Sequence, residues 1–184
     1  MNPKFLLSKQ ILKQQVETLT NLGLKISYSY KTNREVGNLL QEISPETNFS
    51  IHAKEEIEMI KDKSKISFFT QAESTEELKQ IIQEGITTFV VDNEIDLNNL
   101  LKTNAKINLS LRMKFQEHRI GTGKYFVYGM PSKKINEIIS QIKDNPNINN
   151  LGIHIHRKSQ NTSEWEIQEE LEDSLTKESL TRIN

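Results

Sequence analysis

The sequence predicts an α/β fold with a parallel sheet, an incomplete (β/α)8 barrel of the TIM type. Short runs rich in β-branched and aromatic residues alternate with longer runs whose apolar residues recur three and four positions apart, the pattern of strand followed by amphipathic helix. Right-handed crossovers leave two architectures for such a chain, an open doubly wound sheet or a closed barrel. The repeat is short and even, and no glycine-rich phosphate loop follows the first strand. Both features favour the barrel.

The strands are read, in order, at Phe5–Leu7, Lys25–Tyr30, Asn48–His52, Ile66–Thr70, Thr87–Val91, Ile107–Met113 and Leu151–His156. These are about seven, against the eight of a closed barrel. Between them, Leu78, Ile81 and Ile82 mark one helical face, and Ile135, Ile138, Ile139 and Ile142 mark another. Ser74-Thr75-Glu76-Glu77 has the spacing of a capping box, and Asn33 and Asn93 stand where helices begin. Gly23 and Gly85 stand where left-handed C-terminal caps are expected. Residues 163–184 read as charged and helical, ending on what looks like the lead-in to another strand. The expectation is therefore one domain over residues 1–184 that stops before its fold is closed.

Composition excludes several classes. With 24 basic and 25 acidic side chains the formal net charge is −1, which offers no electrostatic footprint for nucleic acid or an anionic membrane. No run approaches the roughly 18 apolar residues of a membrane span. The first residues do not form a secretory signal. There is no cysteine, which removes disulfides, thiolate nucleophiles and cysteine-based zinc sites and points to the cytoplasm.

Five places carry candidate chemistry. Lys31 follows the second apolar run in Tyr28-Ser29-Tyr30-Lys31-Thr32-Asn33, at the C-terminal end of a strand, where β/α folds place their reactive groups. It is either an imine-forming lysine or an exposed strand-end lysine; Lys102-Thr103-Asn104 repeats the tripeptide without the strand. His154 and His156 lie two apart, on one face of a strand, open to ring stacking, to metal ligation or to a plain structural role, and Ser159, just past the strand end, offers a hydroxyl that could hydrogen-bond a phosphate. Arg112 ends an apolar strand, where burial demands an anionic partner and solvent does not. Gly121-Thr122-Gly123-Lys124 resembles half of a phosphate loop but opens no helix. Asp92 reads as a helix cap. Glu56 falls in a first helical turn, which favours an acid in any case.

Taken in order, these segments resemble the N-terminal barrel of the fold-type III pyridoxal-phosphate enzymes, the ornithine, diaminopimelate and arginine decarboxylases, with alanine racemase a more distant relative. Tyr28–Asn33 resembles the family's Tyr-Ala-Val-Lys-Ala-Asn, and Phe49–Ile57 its Phe-Asp-Val-Ala-Ser-x-x-Glu-Leu. Phe89–Asp92 resembles Phe-x-x-Asp-Ser, Leu111-Arg112 the strand-end arginine, and Gly152–Gln160 the motif Gly-Leu-His-Phe-His-x-Gly-Ser-Gln. The resemblance runs over nearly the whole chain.

The resemblance implies that Lys31 holds pyridoxal 5′-phosphate through an imine and that His156 stacks on the pyridine ring. It implies that Ser159 binds the phosphate, that Arg112 lies near the cofactor and that Glu56 belongs to the network around it. The substrate would be a basic or diamino acid, decarboxylated on the way to a polyamine or lysine, and no metal is implied. Ser50 stands for the family's Asp and Lys158 for its Gly. The family's glycine-rich phosphate loop, the acid that pairs with the pyridine nitrogen and the C-terminal β-domain have no counterpart in the 184 residues, so the chain is expected to be inactive alone and to act as a homodimer or with a complementing C-terminal half. Two alternatives stand beside this: a non-catalytic homologue that binds or regulates a full-length decarboxylase, and a single-domain protein that maintains cofactor supply.

Overall fold

The computed structural model describes residues 6–114, 128–156 and 167–183. The chain divides into two compact units, Met1–Phe69 with Gln83–Ile86, and Thr70–Ile82 with Thr87–Asn184. Each is an α/β unit with three parallel strands in chain order.

In the first unit, helix α1 (Lys9–Asn21) precedes strand β1 (Ser27–Ser29). A 3-10 turn (Tyr30–Thr32) leads into α2 (Arg34–Ile43), followed by β2 (Asn48–Ile51), the short α3 (Lys54–Ile57) and β3 (Ile66–Phe69). Register matches Tyr28 to Phe49 and Phe49 to Ile66, an apolar row. It also matches Ser29 to Ser50 and Ser50 to Ser67, a row of serines. The two rows face opposite sides because strand side chains alternate. The apolar side packs on helix: the Tyr30 ring is fully buried, meets Phe49 edge-on at 6.4 Å between centroids, and covers Gly37 of α2. Its hydroxyl donates to Asn38 Oδ1 at 2.7 Å, so the buried oxygen is satisfied.

The second unit contains α4 (Thr75–Gln83, its last residue falling in the first unit), β4 (Thr88–Val91), α5 (Glu94–Leu101), β5 (Ile107–Met113), α6 (Ser132–Ile142), β6 (Ile148–Ile155), α7 (Ile167–Ser174) and α8 (Lys177–Leu180). Strand β5 alternates without a break: Ile107, Leu109, Leu111 and Met113 are buried, while Asn108, Ser110 and Arg112 are half-buried. Register extends the half-buried face: Thr88, Asn108 and Asn150 form one row, and Arg112 matches His154. Asn150 Nδ2 donates to Asn108 Oδ1 at 2.7 Å and Asn108 Nδ2 to Thr88 Oγ1 at 3.3 Å, a side-chain ladder across three strands. On α6, Ile135, Ile138, Ile139 and Ile142 are all buried, as their spacing predicts.

The helix signals read from the sequence hold. Ser74 and Glu77 exchange hydrogen bonds as a capping box. Asn33 Oδ1 accepts from the amides of Glu35 and Val36, and Asn93 Oδ1 from Asp96. Gly23 and Gly85 have φ of +76° and +100°. Two expectations fail. Leu6 and Leu7 are not strand: Leu6 is 95% exposed, and the chain runs straight to Ser8, whose hydroxyl caps α1 (Phe5 lies outside the described residues). A three-residue apolar run is too short to show a period. Asp92 does not cap α5. Its neighbour Asn93 does, and Asp92 accepts a bond from Asn93 Nδ2 instead. Among the described residues no helix is long and apolar enough to cross a membrane.

Candidate functional site

Parallel strands open toward loops at their C-terminal ends, and β/α folds use that edge for chemistry. In the first unit that edge holds Lys31 and Glu56. Lys31 sits in the 3-10 turn two residues past β1, pinned between buried Tyr30 and Asn33, which caps α2. Tyr28 strengthens the turn by donating its hydroxyl to the Asn33 carbonyl at 3.2 Å. The Lys31 amine is exposed and has no hydrogen-bond or ion-pair partner among the described residues.

Glu56 departs from the surface acid that its helical position allows. It is 5% exposed in α3, past the end of β2. Oε1 lies 3.9 Å from Arg34 Nη2, while Oε2 is buried with no hydrogen-bond partner among the described residues. An unsatisfied buried carboxylate oxygen is costly, and such groups concentrate where a ligand completes them. On the same edge of the unit the His52 and Phe69 rings, at the ends of β2 and β3, stack at 4.2 Å and 27°. Burial pushes the Tyr30 hydroxyl above the ordinary tyrosine value, Arg34 opposes this, and Glu56 and Glu35 add to it.

In the second unit the same edge holds Arg112, near the end of β5, and His156, one residue past β6. His156 is exposed, and His154, on the same strand face, lies in register with Arg112. Arg112 is half-buried; its Cζ lies 5.4 Å from the centroid of the Tyr128 ring, and its Nε is buried with no hydrogen-bond partner among the described residues. Ser159 and the Gly121–Lys124 segment lie outside the described residues. The first unit thus places the Lys31 amine on the same edge as the open Glu56 Oε2, and the second places there the Arg112 guanidinium with its open Nε.

Sequence reasoning missed Arg34 and Tyr128. A signal existed for Arg34, the first residue of α2: a cation is unfavourable at the positive end of a helix unless an acid answers it. Tyr128 meets Arg112 only through the folded chain, and nothing local marks it.

A search of the curated proteins returns no match. Among solved structures, the arginine decarboxylase of Paramecium bursaria Chlorella virus superimposes with a TM-score of 0.70 at 17% identity, covering 95% of this chain and 49% of that one. The lysine/ornithine decarboxylase of Vibrio vulnificus, complexed with putrescine, gives 0.65 at 20% identity, covering 84% and 42%. The ornithine decarboxylase of Entamoeba histolytica gives 0.60 at 18%, covering 83% and 43%. These likenesses establish a shared fold, and the chain spans less than half the length of each. A model of the pyridoxal-binding domain of the pyridoxal-dependent decarboxylases matches residues 8–180. That match takes in Lys31, Glu56, Arg112, His156 and Ser159, and over it the chain belongs to the pyridoxal-binding domain family of the pyridoxal-dependent decarboxylases.

Proposed function

We propose that this chain binds pyridoxal 5′-phosphate covalently through Lys31 and serves the decarboxylation of a basic or diamino acid such as ornithine, arginine, lysine or diaminopimelate. The observation that carries the reading is the free, exposed Lys31 amine in a turn fixed on both sides by buried or bonded residues. When bound, the cofactor supplies a ring that accepts the electron pair left as carbon dioxide departs.

The chain's own residues hold and orient that ring. Lys31 supplies the amine. Arg112 supplies a buried donor for an anionic oxygen, His156 a flat imidazole to pack on the ring, and Ser159 a hydroxyl for the phosphate. Glu56 keeps an open carboxylate oxygen for a donor. Taken each in its own unit, the open Arg112 Nε suits an anionic group and the open Glu56 Oε2 a protonated one, and pyridoxal phosphate carries both kinds. The chain spans less than half the length of the decarboxylases on which it superimposes, and a homodimer partner is the proposed source of further residues for turnover. The absence of cysteine suits a reducing, cytoplasmic setting.

Borohydride trapping tests the reading. Protein incubated with pyridoxal phosphate and reduced should carry the pyridoxyl mass on the peptide containing Lys31, and Lys31→Ala should not. Label spread over the surface lysines, with none preferred, would sink it.

A further inference from the structure

Three consecutive residues grip Arg112, each by a different physical means. Tyr128 lays its ring under the guanidinium, with Cζ 5.4 Å from the centroid, a cation–π arrangement. Gly129, at φ +114°, lets the backbone approach: a Cβ there would stand 2.8 Å from the Arg112 carbonyl oxygen and 3.2 Å from Arg112 Cγ. Met130 donates its amide to that carbonyl at 2.8 Å and accepts from Lys114 at 3.0 Å, so the segment is bridged in parallel to the end of β5. The contacts fix the arginine's main chain, the root of its side chain and its head. What they leave open is Nε, buried and without a partner among the described residues.

A loop that only needed to close on a strand would require Met130 alone. The other two contacts are spent on one side chain, and Tyr128 keeps 66% of its own surface exposed, so little is gained by burying it. We propose that Tyr128 and Gly129 are positioning residues that hold the Arg112 guanidinium with Nε turned inward to donate to an anionic oxygen of a bound ligand. The identity of that ligand rests on the cofactor reading above; the positioning does not. Pyridoxal phosphate offers two anionic sources, the ring oxygen and the phosphate, and Nε–H recognises the chemistry common to both.

The test follows the Arg112 Nε–Hε signal by nitrogen-edited NMR on the full chain, assigned by its loss in Arg112→Lys, alongside titrations with pyridoxal phosphate and with pyridoxal, which lacks the phosphate. Without ligand, Tyr128→Leu should speed Hε exchange about tenfold, and Tyr128→Phe, which keeps the ring, should stay within about twofold of the native chain. Pyridoxal phosphate affinity should fall about three- to tenfold in Tyr128→Leu. A parallel loss for pyridoxal assigns the contact to the ring oxygen, and a loss confined to pyridoxal phosphate assigns it to the phosphate. Gly129→Ala should reproduce both effects, and circular dichroism on every variant separates displacement of the arginine from unfolding. Unchanged Hε exchange in folded Tyr128→Leu overturns the proposal, as does altered exchange with unaltered affinity for both ligands. If the native chain binds neither ligand, the cofactor reading falls, and the exchange data with a titration of inorganic phosphate still decide whether Tyr128 positions Arg112 for an anion.

Discussion

The Tyr30 ring closes on Gly37 so tightly that a Cβ at residue 37 would lie 2.5 Å from Tyr30 Cδ2 and 2.7 Å from Cε2. Gly37 sits inside α2, where alanine is intrinsically better by about 1 kcal/mol. Neither side can yield cheaply, because Tyr30 is fully buried and the Gly37 amide donates to Asn33 at 3.0 Å. Overpacking should win. Gly37→Ala is expected to destabilise the fold by about 1–3 kcal/mol and to weaken labelling of Lys31, the next residue after the displaced ring. Thermal denaturation with borohydride trapping checks both; an unchanged melting temperature would count against this packing.

Glu56 should show the opposite trade. Its carboxylate is buried, and its one ion pair among the described residues, at 3.9 Å to a mostly exposed Arg34, is too long and too wet to contribute much. Glu56→Met keeps the volume and removes the open oxygen, so it is expected to stabilise the protein by about 1–2 kcal/mol. The same change should weaken pyridoxal phosphate binding. Arg34→Gln should change stability by less than about 1 kcal/mol. Denaturant titration of the three chains decides; clear destabilisation by Glu56→Met would mean that the carboxylate is structural.

Asn33 performs two tasks at the turn that carries Lys31, capping α2 with its side chain and accepting the Tyr28 hydroxyl with its carbonyl. Asn33→Ala removes the first alone. The expected loss is about 1 kcal/mol, and Asn33→Asp or Asn33→Ser should restore most of it. Hydrogen exchange at the Glu35 and Val36 amides reads the effect directly. If the alanine variant protects them as well as the native chain does, the cap is not what holds the turn.

On the alkaline side, Lys134 ties two helices of the second unit together, reaching Glu137 at 3.1 Å and Glu94 at 3.3 Å. Its hydrogen bonds to Glu137 and then Glu94 hold the ammonium above the ordinary lysine value of 10.5. A raised folded-state value stabilises the fold while the amine is charged in the unfolded chain, and that contribution is lost as pH climbs through the folded-state titration. NMR titration of Lys134 should therefore show a midpoint that drops more in Glu137→Gln than in Glu94→Gln. Equal midpoints in all three chains would show that the two pairs carry no energetic weight.

Local signals were legible in the sequence, and signals that depend on distant packing were not. The capping box at Ser74, the Asn33 and Asn93 caps and the buried isoleucines of α6 are set by neighbours a turn away, and the structure matches each. Phe5–Leu7 was too short to carry a period, and Asp92 beside Asn93 offered two capping residues with no local way to rank them. The burial of Glu56 and the meeting of Arg112 with Tyr128 belong to tertiary packing, which no window of sequence contains.

Strand β5 separates two kinds of inheritance along one stretch of chain. Ile107, Leu109, Leu111 and Met113 answer to the requirement that the protein exist at all. Asn108, Ser110 and Arg112, interleaved with them, lie half-buried on the other face, where Asn108 bonds to its neighbours in β4 and β6 and Arg112 meets Tyr128. Because the two sets point in opposite directions, drift in one need not disturb the other. A lineage can therefore vary every second letter of this strand while the letters that build its core remain under separate selection.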